Sequence, residues 1–564
     1  MATATAAIHA AMHFLRSLRA DQPAVRKNEF EHTNTAKKNV DDGGSHDEPA
    51  SVLGPTSPSQ RDKNRRIPFL SPASLQQSLR PCVRDGNFTF GGQNRDNNAT
   101  LPRLFSRIMR LVKLTHVLRI SIFGIAFASI PAAVTAQNIV TPAAMIKTYC
   151  VSCHSGQAPA GRLSLDRLDA DRPSEVPETW ERIVRQLRAR TMPPMAAPRP
   201  DSKTYESTIV ALTSSLDRAA TTTAPLNDTE LALRLAKLIW NGEPDEELRD
   251  AAVQGTLHQA QALQAQVRRM LSNIRSSALV TEFFDTWLQL DQLATTKPDS
   301  TLFPEFDDEL RGNFKRETEL FVESQLREDR NPVDLWIANY TFLNERLARH
   351  YGIANVAGPE YRRVTWPGPE RAGLLAQGSI LTLTSRAYIA YPVDIPTTSP
   401  AMRAKWILTR FLGVNPPTPL PNIPPQDFAF EKHSPLVKQS RGFPATPCVT
   451  CHQSFFPLSY GLENFDVLGR WRSDYGSDPI DASGVMVDGT TFSGPVELRR
   501  ALLERRDAFR STMAERLMAY RIGGKTAANE PTPASRMPAV RAALREAEAR
   551  GDSWSSLIAA IVTK

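Results

Sequence analysis

The sequence predicts a mainly α-helical protein with several domains, and two observations point to this class. Apolar residues recur at helical spacing through most of the second half, as in Phe306, Leu310 and Phe314. Stretches with the turn-rich pattern of short strands are confined to residues 355–366 and 478–491. We therefore expect small β elements inserted into a helical framework.

The first 136 residues have the composition of an extension followed by an export signal. Residues 1–108 are rich in Ser, Asn, Asp, Gly and Arg, which predicts a disordered extension or a start codon placed too far upstream. A short basic segment, an apolar run of about eleven residues and small residues ending at Ala136 then predict a signal peptide over residues 109–136. The alternative is a cytoplasmic tail followed by a short buried helix. We expect an exported, periplasmic chain without a permanent membrane span, because the apolar run is too short for one.

A C-x-x-C-H pattern occurs twice, as Cys150, Cys153 and His154 and again as Cys448, Cys451 and His452. This pattern attaches a c-type haem: the two thiols bond to one porphyrin, and the histidine ligates the iron. The repeat predicts two covalently bound c-type haems, with His154 and His452 as iron ligands. The alternatives are one haem with a degenerate second motif, a zinc site built from both cysteine pairs, or two disulfides.

Residues 138–222 are predicted to form a small cytochrome c-like helical domain. One helix leads into the first motif, an amphipathic helix follows over residues 180–190, and a third covers residues 205–218. Met192 lies on the proline-rich loop after the second helix, where proline holds the backbone extended. We predict Met192 as the second axial ligand of this iron, with Met195 in reserve; the alternative is a loop methionine that packs on the surface.

The rest of the chain divides into three predicted parts. Residues 226–412 form a larger helical domain of unknown function, and residues 413–447 form a Pro-rich linker that should act as a semi-rigid spacer. Residues 448–564 form a C-terminal helical domain that carries the second haem motif, with closing helices over residues 495–522, 537–549 and 553–563.

Several stretches of this helical part are distinctive, namely residues 231–245, 303–306, 316–319, 340–352, 398–400, 461–466 and 469–472. In these stretches the chain resembles large exported haem proteins of planctomycetes and acidobacteria, in which a cytochrome c-like module precedes domains of unknown function. The resemblance implies a periplasmic, mostly helical, dihaem protein, and it implies no particular activity.

The chain departs from that family's pattern after the second motif. The family usually has Met-Asp-Pro where this chain has Phe455, Phe456 and Pro457, and a phenylalanine ring cannot ligate iron. The family's arginine after the glycine at Gly524 is missing, and residues 386–397 resemble an insertion.

The second iron therefore lacks an obvious second ligand, and the candidates are Met486, Met402, His433 and His350. For His350 the ordinary alternative is a charge at a helix C-terminus. Arg470 and Arg472 are expected to pair either with haem propionates or with Glu463 and Asp466.

Three functions follow from these ligand sets. The first is a periplasmic electron carrier, or the redox subunit of a larger system, with two low-spin haems and an unidentified redox partner. The second is a dihaem peroxidase- or oxygenase-like enzyme with an open second haem. The third is a non-catalytic exported protein in which haem is structural. The net charge of +8 is spread along the chain without a basic patch, which argues against nucleic-acid binding.

Overall fold

The computed structural model describes residues 141–220, 225–385, 397–417, 434–442, 452–476, 478–530 and 532–564. All of these belong to one compact unit, Ser129–Lys564. The expected extension and signal peptide lie outside the described residues, as do Cys448, Cys451 and His433. The mainly α-helical class is confirmed.

Three helices build the N-terminal module: α1 (Pro142–Tyr149), α2 (Pro177–Arg188) and α3 (Ser202–Arg218). Thr141 caps α1 and Asp201 caps α3, because each side chain accepts a hydrogen bond from a backbone N–H in the first turn. The three helices enclose a small apolar core of their own. Its members include Met145, Ile146, Trp180, Ile183, Val184, Leu187, Tyr205, Ile209, Leu212 and Leu216.

A helical segment follows, with helices at Asp228–Trp240 (α4), Glu246–Val253 (α5), Ala260–Ser272 (α6), 277–288 (α7) and Asp308–Arg327 (α8). The middle of α7 is a π-helical stretch, Val280–Phe284. Asn227 and Glu230 form a reciprocal capping box at the start of α4, which confirms the cap expected there.

Short elements occupy the middle of the unit: α9 (Asp334–Ile337), β1 (Tyr340–Leu343), α10 (Glu345–Tyr351), β2 (Arg362–Thr365) and α11 (Gly378–Leu383). β1 and β2 pair antiparallel, with Tyr340 opposite Thr365 and Leu343 opposite Arg362. The strand-like excursion expected near residues 355–366 is therefore one half of a two-stranded sheet.

The C-terminal part contains α12 (Pro400–Arg410), α13 (Leu436–Arg441), β3 (Ser483–Val485), β4 (Thr491–Ser493), α14 (Gly494–Leu503), α15 (Arg506–Gly523), α16 (Met537–Ala549) and α17 (Trp554–Val562). β3 and β4 form the expected hairpin, with Ser483 opposite Ser493.

Two features of this part differ from the sequence-based expectation. The stretch 495–522, expected as one helix, is two helices that meet at Arg505, whose side chain turns towards Asp488 and Thr490 in the β3–β4 loop. The expected spacer contains α13, and Leu436 and Val437 of that helix are buried. Residues from both expected helical domains, 226–412 and 448–564, contribute to one continuous apolar core.

The N-terminal module is docked on the C-terminal helices through buried charges. Arg541 of α16 donates from Nη1 to Glu181 at 2.9 Å and from Nε to Asp217 at 2.8 Å. Arg185 of α2 donates to Glu515 of α15 at 3.0 Å. Within the described part of the chain, every helix is too short or too polar to cross a bilayer.

Candidate functional site

The first motif continues the turn that ends α1. The backbone N–H of Cys150 donates to the Ile146 carbonyl at 3.0 Å, and the N–H of His154 donates to the Cys150 carbonyl at 3.0 Å. The chain after Tyr149 therefore keeps a helix-like turn instead of extending. This local turn is what allows both thiols and the imidazole to face the same space.

That space is a cavity of about 580 Å³, and its walls include Cys150, Cys153, His154 and Met192. The volume lies within the usual range of cofactor and ligand pockets. The structure thus brings together the whole first motif and the methionine that the sequence analysis selected as the second axial ligand.

Met192 is held by contacts to its backbone. The hydroxyl of Tyr205 on α3 donates to the Met192 carbonyl at 2.9 Å. Arg199 donates to the Arg190 carbonyl at 2.7 Å and also to the Pro193 carbonyl. The Met192–Pro193 peptide bond is cis. Tyr205 therefore attaches the loop to α3, and Arg199 connects the loop residues on both sides of Met192.

Met195, the reserve candidate, lies elsewhere. Met195 is not among the described residues that line the cavity, and it is 50% exposed. Its Cγ is 3.5 Å from the position that a Cβ on Gly489 would occupy, so it packs on the β3–β4 loop. The geometry therefore favours Met192 over Met195 as the residue that faces the cavity.

The polar groups of the cavity fit a haem. Nδ1 of His154 is buried and has no hydrogen-bond partner among the described residues, although buried polar atoms in proteins nearly always have one. Cys150 and Cys153 are free thiols, and burial together with the neighbouring Cys153 raises the pKa of Cys150 to about 11. Two thiols, an imidazole and a thioether around one cavity are the donor set of a c-type haem with two axial ligands.

Another part of the cavity wall comes from distant segments of the chain. It contains Thr409, residues 413–417, Glu515, Arg516 and Asn529, all of which lie more than 250 positions after the first motif. No local sequence pattern links residues so far apart to the first motif, so these wall residues were not predicted.

The second motif is described only from His452 onward. Its ring stacks on Phe456, with centroids 4.5 Å apart and planes 12° apart, and it meets Phe455 edge to face at 6.4 Å. Nδ1 of His452 is buried and has no partner among the described residues, as for His154. Burial lowers the pKa of His452, which favours the neutral imidazole that ligates metals. Both phenylalanines pack on this imidazole and on each other.

The other candidate ligands of the second iron have separate environments. Nε2 of His350 lies 2.9 Å from the Leu468 carbonyl, and its ring contacts Phe314 and Tyr351, which matches a packed core histidine. Met486 is almost completely buried in the main core, whereas Met402 is 36% exposed at the start of α12.

Arg470 and Arg472 pair with protein carboxylates. Arg470 contacts Asp466 at 2.9 Å and Glu305 at 2.8 Å. Arg472 contacts Glu463 at 3.3 Å. The sequence predicted that these arginines pair either with haem propionates or with Glu463 and Asp466. In the structure they contact Glu463 and Asp466.

Four family models match separate segments of the chain. Residues 150–195 match the planctomycete cytochrome C family. The other three are each described as a protein of unknown function: DUF1592 at residues 226–353, DUF1588 at 371–475 and DUF1585 at 488–564. Neither a curated protein nor a solved structure matches the chain. The cytochrome C match covers both cysteines and the histidine of the first motif and Met192, and it implies covalently bound haem.

Proposed function

The chain belongs to the planctomycete-type multi-domain cytochrome c proteins with domains of unknown function, and on this premise we propose an exported dihaem cytochrome that transfers electrons. The observation that carries the proposal is the cavity whose walls contain Cys150, Cys153, His154 and Met192. A covalently bound haem supplies single-electron chemistry at its iron.

The residues of the first site perform three tasks in this proposal. Cys150 and Cys153 would hold the macrocycle covalently, and His154 and Met192 would be the residues that ligate its iron. Filled axial positions exclude oxygen and peroxide from the iron, and a thioether ligand raises the reduction potential. Tyr205 keeps the Met192 loop against α3 and so limits ligand exchange. The first site is therefore suited to electron transfer.

For the second site we propose a haem on Cys448 and Cys451 with His452 as axial ligand. Support comes from the repeated motif and from the unpartnered imidazole nitrogen that His452 shares with His154. An electron would pass between the two haems and an unidentified partner in the periplasm. The second axial ligand of this iron stays a prediction.

A second function is favoured by one observation, the pair of phenylalanines beside His452. Neither ring can ligate iron, and because both pack on the imidazole itself, they supply no ligand to the other face of the second haem, which would stay open. In that case the first haem would supply electrons to a peroxidase- or oxygenase-like second site.

Haem counting combined with spin-state spectroscopy tests both functions. The protein, expressed with its export signal in a host that matures c-type cytochromes, should give two haems per chain by pyridine haemochrome assay. Two low-spin signals in electron paramagnetic resonance would support the carrier. One high-spin signal that is lost on cyanide binding would support the enzyme. A chain without covalent haem would rule out both.

A further inference from the structure

The cavity of the first motif carries a charge pattern that the cytochrome module alone does not explain. Among the described residues that line it, Arg182, Arg185 and Arg516 are the arginines and Glu515 is the only carboxylate. The wall therefore holds an excess of two positive charges. A haem has an apolar macrocycle and two propionate carboxylates, so this excess matches the charge of the cofactor.

The contacts of the three arginines separate them into two classes. Arg185 already donates to Glu515 at 3.0 Å and to the Thr532 carbonyl at 3.1 Å, so its charge has a partner. Arg182 is exposed and has no hydrogen bond or ion pair with any described residue. Arg516 donates to the Glu530 carbonyl, whereas its Nε is buried without a partner and no described carboxylate pairs with it.

The surroundings of Arg516 increase the cost of leaving its charge unpaired. Burial lowers the pKa of Arg516, the charges of Glu515 and Glu530 oppose that effect, and the charge of Arg185 adds to it. Arg410, a second buried cation, bonds Asn529 at 2.7 Å, and Asn529 lies on the cavity wall. A half-buried guanidinium without an ion-pair partner is partly removed from water, and an anion in the cavity would stabilise its charge.

We propose that Arg182 and Arg516 bind the propionate carboxylates of the first haem, so that α15 completes a cofactor site on the N-terminal module. This inference rests on the proposed function, since it assumes a haem on Cys150 and Cys153. It gives the C-terminal domain of unknown function a role in holding the cofactor of the cytochrome module.

The test uses the full-length holoprotein and four variants: Arg516→Gln, Arg182→Gln, Arg516→Lys and Arg506→Gln. Arg506 is the matched control, because it lies on the same helix, is exposed and is outside the wall of this cavity. Haem content is measured first by pyridine haemochrome assay. Potentiometric titration followed by optical absorption then gives the potential of each haem and its dependence on pH.

We expect one redox transition to shift to lower potential in Arg516→Gln and in Arg182→Gln, because losing a nearby cation favours the ferric iron. The uncompensated propionates should also take up protons at higher pH, which moves the pH dependence of that potential upward. Arg516→Lys should restore most of the wild-type potential, because it keeps the positive charge. Arg506→Gln should have the wild-type potential.

Unchanged titrations in both glutamine variants, with haem retained, would overturn the inference. If Arg516→Gln fails to fold, Arg182→Gln decides, since Arg182 is exposed and replacing it leaves the core intact. Absence of haem from the wild-type Cys150–Cys153 pair would instead refute the proposed function itself, and the haem assay separates that outcome from the first.

Discussion

Met192 shows what a single residue position can reveal in this protein. Its place on a Pro-Pro loop after a helix was enough to select it, and the structure puts it on the cavity wall with both cysteines and His154. The sequence ranked Met192 ahead of Met195 but could not exclude Met195, which lies on the same loop. The choice between the two methionines depends on the β3–β4 loop, because the Met195 side chain packs beside Gly489 there.

We predict that Met192→Ala converts one of the two haems from low spin to high spin and lowers its potential, because a thioether ligand is lost. Optical and electron paramagnetic resonance spectra of the ferric protein measure this. Met195→Ala is the matched control, because it removes the other methionine of the same loop. It should leave the spectra unchanged. The opposite pattern between the two variants would assign the ligand to Met195.

Glu317 on α8 is a buried carboxyl with a predictable effect on stability. It accepts hydrogen bonds from Tyr351 and Thr341 at 2.7 Å each, and the Tyr351 hydroxyl in turn accepts from the Gly378 N–H at 2.8 Å. Burial raises its pKa from 4.5 to about 7, and these hydrogen bonds only partly offset that effect. The folded protein therefore keeps the proton at a pH where the unfolded chain releases it.

The sign follows from this difference in proton binding. Between pH 4.5 and about 7 the folded state holds more protons, so the contribution of Glu317 to stability decreases as pH rises through this window. The loss amounts to roughly 3 kcal/mol. Denaturant unfolding at several pH values should show this slope, and Glu317→Gln should flatten it. An equal slope in the variant would contradict the assignment.

At the scale of elements, the segment after the second motif is fixed to α12 by one arginine. The fully buried guanidinium of Arg403 donates to the Leu462, Phe465 and Asp466 carbonyls at 2.7, 3.1 and 3.0 Å. It also contacts the buried Glu463 at 3.3 Å. Arg403 therefore organises the chain that follows His452.

We expect Arg403→Met to destabilise the protein by about 3–5 kcal/mol, because it leaves three carbonyls without this donor and removes one of the two arginines that contact the buried Glu463. The matched control is Arg470→Met, which removes a half-exposed arginine from Asp466 and Glu305 and should cost less than about 1 kcal/mol. Urea unfolding measures both. Equal losses of unfolding free energy in the two variants would contradict the view that burial of Arg403 and Glu463 makes their contact the more stabilising one.

The elements also show where sequence patterns stop being informative. Helical periodicity located α1 to α3 and the closing helices, because their apolar faces are local features. The division between α14 and α15 was missed, since it depends on Arg505 reaching the hairpin loop at Asp488. The helix α13 was missed within a Pro-rich segment because its burial comes from tertiary packing.

At the scale of the whole molecule, the cytochrome module is docked on the remainder of the chain. Arg541 joins α16 to Glu181 and Asp217, and the first cavity has walls from both sides of this contact. The sequence predicted a separate module and a spacer. Charges that pair across more than three hundred positions leave no signal in a single sequence, so this docking could not be foreseen.

This docking predicts that the module and the helical part unfold together. Soret absorption and far-ultraviolet circular dichroism should give one coincident thermal transition in the wild type. Arg541→Met leaves the buried Glu181 unpaired. The Soret transition should then move to lower temperature and separate from the circular dichroism transition. Arg545→Met is the control, because its contact with Asp217 is exposed. Two separate transitions already in the wild type would contradict the docking.

Both proposed haem sites require porphyrin bonded to the paired cysteines of the exported chain. Peptide mass spectrometry after proteolysis of the purified protein examines each pair separately. We predict that the peptide with Cys150 and Cys153 and the peptide with Cys448 and Cys451 each carry the added mass of one haem. Recovery of both peptides with unmodified thiols would contradict the cytochrome assignment at its foundation.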